Sequence, residues 1–331
     1  MDSRSSRRNR IFFFNLNTSR KILINGVEAK GRGINYSSNA LGAASNDPWY
    51  EEVDQIIPDI QDISAGGFNW IKIYGTESNA SLHYAALDKV KAANGAMNVF
   101  VLDFVTYDTD YSVATGGANR TAKINDFVAL VNIFKTRPEV KIIGFANENN
   151  LPNNRGSSTN GEGDVVTSIA DWYSLVDAAI AAGKAAAPGT TIKFATVDAE
   201  LGTYPGDASL PNLDILGINI YRGTTFTDLK QDLIRLTSKP TIITEFGIER
   251  TDNSEGEQKD QANEELSLIQ EAEDLYPFVA FWILFKWTHN SNSSQFYHIA
   301  APVASGFNAS RPKYTAYTTI KNFLISHTFG N

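Results

Sequence analysis

An alternation constrains this chain more than any single motif. Short β-branched runs exchange with longer amphipathic or Ala-rich stretches along nearly the whole length, and the exchange repeats eight times. The apolar runs are AKGRGINY (29–36), FNWIKIYG (68–75), MNVFVLDF (97–104), VKIIGFAN (140–147), TIKFATVD (191–198), LDILGINIY (213–221), PTIITEF (240–246) and FVAFWILFKW (278–287). Stretches with helical periodicity fill the gaps, from DPWYEEVDQIIPDIQDISA to RPKYTAYTTIKNFLI. GTYPGDASLPN, between the fifth and sixth strands, has room only for a short helix. Strands separated by helices imply parallel pairing, because each parallel connection needs a crossover. Eight such units in 331 residues predict an α/β protein, a (β/α)8 TIM barrel, over an open doubly wound sheet. No Gly-rich phosphate fingerprint follows the first strand, which argues against a dinucleotide fold.

Ahead of the barrel, IFFFNLNTSRKILINGVE sets polar NTSR between two apolar runs and reads as a short N-terminal β-hairpin closing the barrel floor. Residues 1–10 read as a flexible start, and 11–331 as one catalytic barrel, since no Pro- or Ser-rich linker divides them. The basic start leads only into IFFF, too short for a signal peptide's apolar core, so no signal peptide is visible. No apolar stretch is long enough to span a membrane.

Composition narrows the chemistry. The net charge of −8 argues against nucleic acid as partner, because phosphate binding needs a basic surface. There are no cysteines, hence no disulfide, thiolate nucleophile or cysteine metal site. The four histidines (His83, His289, His298, His327) lack metal-ligand spacing, and no metal or cofactor is implied.

Barrel sites lie at the carboxyl ends of the strands. Polar residues there are Asn35 and Tyr36, Lys72 and Tyr74, Asp103, Asn147 and Glu148, Asp198 and Glu200, Tyr221, Glu245, and Lys286 and Trp287, in strand order. Glu148 ends the fourth strand and Glu245 the seventh, so the two face each other across the mouth. Paired carboxyl groups in that relation suit glycoside hydrolysis.

The Asn147-Glu148 pair and the ITEFG that ends the seventh strand resemble the clan of retaining glycosidases built on this barrel. KGRGINY, the DP-initiated first helix, FNWIKIYG, GINIYRG and TEFG are most similar to the fungal β-1,3-glucanosyltransferases. Glycoside hydrolase family 2 barrels and plant-type β-1,3-glucanases are similar at fewer points. The glucanosyltransferases carry Arg where Lys72 stands and use disulfides that this chain cannot form.

The resemblance implies Glu148 as acid/base and Glu245 as nucleophile on an oligo- or polysaccharide, a β-glucan of β-1,3 linkage first, with hydrolysis or transglycosylation as outcome. Tyr221 would donate to Glu245, Asn147 would bind the sugar 2-hydroxyl, and Trp287 would offer a flat face to a pyranose. Lys72, Tyr36 and Tyr74 would complete the inner sugar site, with Asp103 and Asp198 as secondary candidates. A polysaccharide substrate places the protein outside the cell or in a periplasm.

Blander readings stand beside each role. Asn147 can be a turn former, Tyr36 and Tyr221 core tyrosines, Trp287 packing, and Lys72 a structural counter-ion to one of the acids. Trp49, Tyr50, Tyr107, Tyr111, Tyr204, Phe296 and Tyr297 can stack on sugars or form loop cores. Whole-chain alternatives are a carbohydrate-binding barrel without catalysis, a retaining glycosidase for β-1,4- or β-1,6-linked glucan, mannan or galactan, and a Schiff-base enzyme using Lys72.

Overall fold

The structure is a computed structural model that describes residues 20–38, 48–103, 118–148, 150–151, 168–252, 254–288, 297–301 and 310–329. A two-stranded hairpin, β1 (Leu23–Ile24) and β2 (Val27–Glu28), comes first. Eight parallel strands follow: β3 (Gly31–Asn35), β4 (Trp70–Gly75), β5 (Asn98–Asp103), β6 (Val140–Asn147), β7 (Lys193–Ala199), β8 (Ile215–Asn219), β9 (Thr241–Glu245) and β10 (Val279–Leu284). Each pairs with the next, and β10 returns to β3 through Phe281↔Gly31 to Leu284↔Ile34, closing the barrel. The helices are α1 (Ile56–Ala65), α2 (Ala80–Ala93), α3 (Ala118–Phe134), α4 (Ile169–Ala186), α5 (Leu229–Leu236), α6 (Glu255–Asp274) and α7 (Thr315–Ser326). Between β7 and β8 only a 3-10 turn, Asp207–Ser209, occurs, as the length of that segment requires.

Local chemistry sets the element ends. Ser168 and Ser254 cap α4 and α6, each side chain accepting from the backbone N–H three residues on. α1 starts at Ile56, later than the DP of the sequence suggested, with Pro58 in its first turn, where the missing N–H costs nothing.

The hairpin differs from the expected one. Its turn is Asn25-Gly26, with φ of 53° and 76°, the positive values a two-residue hairpin turn demands. The Asn-Gly signal therefore outranks the polar NTSR, which ends at Arg20; IFFF and the flexible start lie outside the described residues. Ile22 and Ile24 pack with Trp70, Ile215, Ile242 and Phe281 at the amino ends of the strands, so the hairpin plugs the barrel floor.

Two apolar layers follow from the period of two along each strand. Inward residues such as Trp70, Phe100, Leu102, Ile142, Val197 and Ile283 fill the barrel, while their neighbours, Ile71, Val101, Ile143 and Leu216 among them, pack under the helices. Gly31 and Gly33 make room for Trp70. A Cβ on Gly31 would lie 2.1 Å from the indole Cδ1. Apolar filling stops halfway up, where Lys72 takes an inward position with no exposed surface. Burying a lysine costs several kcal/mol unless a counter-charge meets it, and the answering charge lies at the mouth.

Candidate active site

Strict alternation would turn Glu245 away from the mouth. Ile242 faces the barrel interior and Ile243 the helices, which makes Glu245 an outward position. The ladder slips, however: Ile218 pairs with Ile243, but Asn219 pairs with Glu245, so β9 carries an extra residue there. β6 does the same on the other side of the mouth, where Phe145 pairs with Thr196 and Asn147 with Val197, leaving Ala146 unpaired at φ 69°. Glu148 follows at φ 57°, its N–H bonded to the Val197 carbonyl at 2.9 Å. Bulges re-aim side chains, and non-glycine residues at positive φ are uncommon. Glu245 thus reaches the mouth through a local break in strand regularity, and Glu148 follows another.

Glu245 is held from three sides. The Lys72 ammonium donates to its Oε1, the Tyr74 hydroxyl donates to the same oxygen at 2.5 Å, and the Tyr221 hydroxyl donates to Oε2 at 3.3 Å. Lys72 also reaches the Thr244 carbonyl at 3.5 Å. Burial pushes Lys72 below the ordinary lysine range, against the opposing pull of Glu245 and, further off, Glu148. Tyr74 and Tyr221 are raised by burial and by the Glu245 charge, so both phenols stay protonated donors. Asn35, also buried, is the one group that pulls that phenol the other way.

Glu148 is placed differently. Its Oε1 accepts from Asn219 Nδ2 at 3.0 Å, and the same amide donates to Asn147 Oδ1 at 3.2 Å. Asn219 is fixed in turn by the Thr244 hydroxyl, which donates to its Oδ1 at 2.7 Å. Burial first, then the charge of Glu245, raises Glu148 above the usual carboxyl range, with Asn219 and Lys72 pulling the other way. One carboxyl is surrounded by a cation and two phenols. The other is burdened with its neighbour's charge, and that asymmetry separates two acids into different tasks.

Asn219 was not singled out in the sequence, although the inward parity of Ile215, Gly217 and Asn219 in LGINIY carries the signal. Thr244 escaped notice for the same reason.

The structure also corrects four candidates, the first three by parity. Tyr36 faces α1, nearly inaccessible, with its hydroxyl 3.3 Å from Asp59 Oδ2, in a network with Arg311, which bonds Asp59 at 2.7 and 3.0 Å. Asp103 faces α3 and senses Lys123 and Asp126. Asp198 faces α4 and accepts from the Tyr173 hydroxyl at 2.8 Å. Burial raises both aspartates to about 7. Trp287 is fully buried against Tyr317 and offers no face to a sugar. All four close their strands on the helix side. Trp49, Tyr50 and Tyr204 are likewise core residues. Tyr297 stands at the mouth, 5.8 Å from the Tyr221 ring and 5.6 Å from Phe285. Tyr107, Tyr111, Phe296, His289 and most of LPNNRGSSTNGEGD lie outside the described residues.

Among the described residues no cluster of His, Asp or Glu gathers as metal ligands would, and no helix is long and apolar enough to cross a membrane.

Comparison with solved structures returns this barrel in carbohydrate-active enzymes, among them the following three. A glycoside hydrolase family 2 β-galacturonidase from Eisenbergiella tayi superposes with a TM-score of 0.65 at 14% identity, over 94% of this chain and 53% of that one. Bacteroides uniformis β-glucuronidase 2, covalently bound to cyclophellitol-6-carboxylate aziridine, gives 0.67 at 15% identity over 92% and 36%. The β-D-glucuronidase of Dictyoglomus thermophilum gives 0.64 at 15% identity over 94% and 53%. What they share with this chain is the fold. The chain spans about half of these proteins' length or less. No family model and no curated protein matches it.

Proposed function

We propose that this barrel is a retaining β-glycosidase working by double displacement, with Glu245 as nucleophile and Glu148 as acid/base. The observation that carries the reading is the grip of Lys72, Tyr74 and Tyr221 on Glu245, set across the mouth from a Glu148 whose carboxyl holds its proton above the usual range. Glu245 attacks the anomeric carbon while Glu148 gives its proton to the departing glycosidic oxygen. The bond to that oxygen breaks, a glycosyl ester forms on Glu245, and the leaving alcohol diffuses away. Forming the ester consumes the Glu245 charge, the second cause of the Glu148 shift, so the now ionised Glu148 becomes a base. It takes a proton from water, or from a sugar hydroxyl in transglycosylation, as that oxygen attacks the anomeric carbon and releases Glu245.

Asn147, whose Oδ1 is occupied by Asn219, keeps its Nδ2 hydrogens for the sugar 2-hydroxyl. A β-1,3-glucan substrate rests on the strand-end motifs alone, since among the described residues no group at the mouth reads linkage. An inactive sugar-binding barrel is disfavoured by the donors spent on Glu245. The test follows the anomer released from β-linked oligosaccharides of defined linkage by proton NMR. First-formed β-product supports double displacement, α-product overturns it, and products longer than the input reveal transfer.

Asn219→Ala tests the link between the acid and its support. Without the amide that favours the ionised form, the Glu148 carboxyl rises further, so the basic limb of the pH–kcat/KM profile moves to higher pH. Losing a hydrogen bond to a charged group is expected to lower kcat/KM about 10- to 100-fold.

A further inference from the structure

Asn150 stands two residues past Glu148, is buried, and has no task in the double displacement just described. Its carboxamide is turned to β7 rather than to the mouth. The Ala199 N–H donates to its Oδ1 at 2.8 Å, and its Nδ2 donates to the Ala199 carbonyl at 2.8 Å and to the Thr203 hydroxyl at 3.0 Å. Both amide hydrogens and the oxygen are engaged. Thr203 Oγ1 lies 3.5 Å from the Tyr173 hydroxyl, which in turn donates to Asp198 at 2.8 Å. The carboxamide is thus tied to α4 through Tyr173 and to β7 through Asp198, the aspartate that parity turned away from the mouth.

The two bonds to Ala199 have the form of a ladder rung. Val197 gives its carbonyl to the Glu148 N–H at 2.9 Å, and Ala199, two residues on, faces the same way. The backbone of β6 ends at Asn147, so the Asn150 side chain stands in for the peptide group that the strand no longer supplies. Glu148 is therefore fastened between successive rungs on β7, about 6.6 Å apart. Its φ of 57° lies in the left-handed region, where a glutamate stays only if its surroundings hold it. Between the two rungs it cannot turn over without breaking one. The Leu151 N–H, which donates to the Glu148 carbonyl at 3.0 Å, closes the same turn. Asn219 holds the carboxyl of Glu148, and Asn150 holds its backbone.

We propose that Asn150 is a positioning residue for the acid/base, its carboxamide locking the backbone turn that aims Glu148 at the glycosidic oxygen. The catalytic meaning of the lock rests on the glycosidase reading above, whereas the placement of Glu148 does not.

The test compares the wild type, Asn150→Ala and Thr203→Val on the phenyl and 2,4-dinitrophenyl β-glucosides, β-galactosides and β-mannosides. kcat/KM covers the steps up to the glycosyl ester, in which phenol needs a proton from Glu148 and 2,4-dinitrophenol does not. Asn150→Ala is expected to lower kcat/KM about 100-fold on the phenyl glycoside and less than about threefold on the dinitrophenyl one. Thr203→Val removes only the outer bond of the carboxamide and should move the same ratio in the same direction, by about threefold. It reads the lock even if Asn150→Ala fails to fold. A residue that merely supports the fold lowers both substrates together, so a ratio that stays constant in every variant that folds overturns the proposal. Titration of the Glu148 carboxyl by carbon-13 NMR, assigned with Glu148→Gln, separates the two readings. The raised carboxyl is expected to move toward the ordinary range in Asn150→Ala, as the freed turn exposes it. If the wild type hydrolyses none of the six glycosides, the glycosidase reading fails and the titration decides on the lock alone, an unmoved carboxyl overturning it.

Discussion

Glu245→Gln is expected to abolish turnover, with kcat on an aryl β-glycoside falling on the order of 10⁴-fold or more, as loss of a covalent nucleophile does. The amide still accepts from Tyr74 and Tyr221, so sugar binding survives and can be measured by calorimetry at concentrations where the wild type turns over. Near-normal turnover on a proven substrate would sink the assignment. Stability responds as well. Lys72, with no accessible surface, loses the charge that offsets its burial. Breaking a buried pair by removing one partner costs about 3–5 kcal/mol. Lys72 is already lowered by burial, so it can shed its proton and cap the loss near the low end of that range. Urea unfolding measures the difference, and a variant as stable as the wild type would mean that the pair contributes nothing.

The same pair shows what could be read in the sequence and what could not. Eight apolar runs separated by helical stretches specify a closed parallel barrel, and the barrel specifies the end of each strand that carries chemistry. Glu148, Glu245, Lys72, Tyr74, Asn147 and Tyr221 follow from those two steps. Strand ends alone do not distinguish the mouth from the helix layer, and there Tyr36, Asp103, Asp198 and Trp287 were misplaced. Counting by two from Val101 and Phe194 would have sent Asp103 and Asp198 outward, and from Ile34 it would have sent Tyr36 the same way, whereas Trp287 is inward by count from Ile283 and leaves the pattern only after β10 has ended. Counting fails for Glu245, where the slip beside Thr244 reverses the face, and for Asn147, which the slip beside Ala146 turns toward Asn219, while Glu148 is inward by count from Ile142. A bulge is a property of two paired backbones, and no residue type at 146 or 244 announces it. Asn219 shows the converse, inward by plain alternation and passed over because an amide within an apolar run reads as filler. The hairpin turn at Asn25-Gly26 was equally legible, through the demand for positive φ.

Glu148→Gln is expected to separate the two acids by three signs at once. Turnover falls about 10²- to 10⁴-fold with a poor leaving group, because no proton reaches the departing oxygen. With 2,4-dinitrophenol as leaving group the first step needs no acid, so the ester on Glu245 accumulates and a burst of product precedes a slow steady state. The pH profile changes in a fixed direction. In the wild type Glu148 must carry its proton, and its raised carboxyl keeps activity above the ordinary carboxylate range until pH passes the folded value. The variant lacks that basic limb on the activated substrate. Stability moves opposite to Glu245→Gln. A carboxyl raised by folding contributes stability that is complete below its unfolded value of 4.5 and lost as pH rises through the folded one. At neutral pH, above that unfolded value, the raised carboxyl of Glu148 is therefore a cost to the fold, and its amide removes it. Urea unfolding at pH 7 should rank Glu148→Gln above the wild type and Glu245→Gln below it. The reverse order would mean that the nucleophile, not the acid, is the strained carboxylate of this mouth.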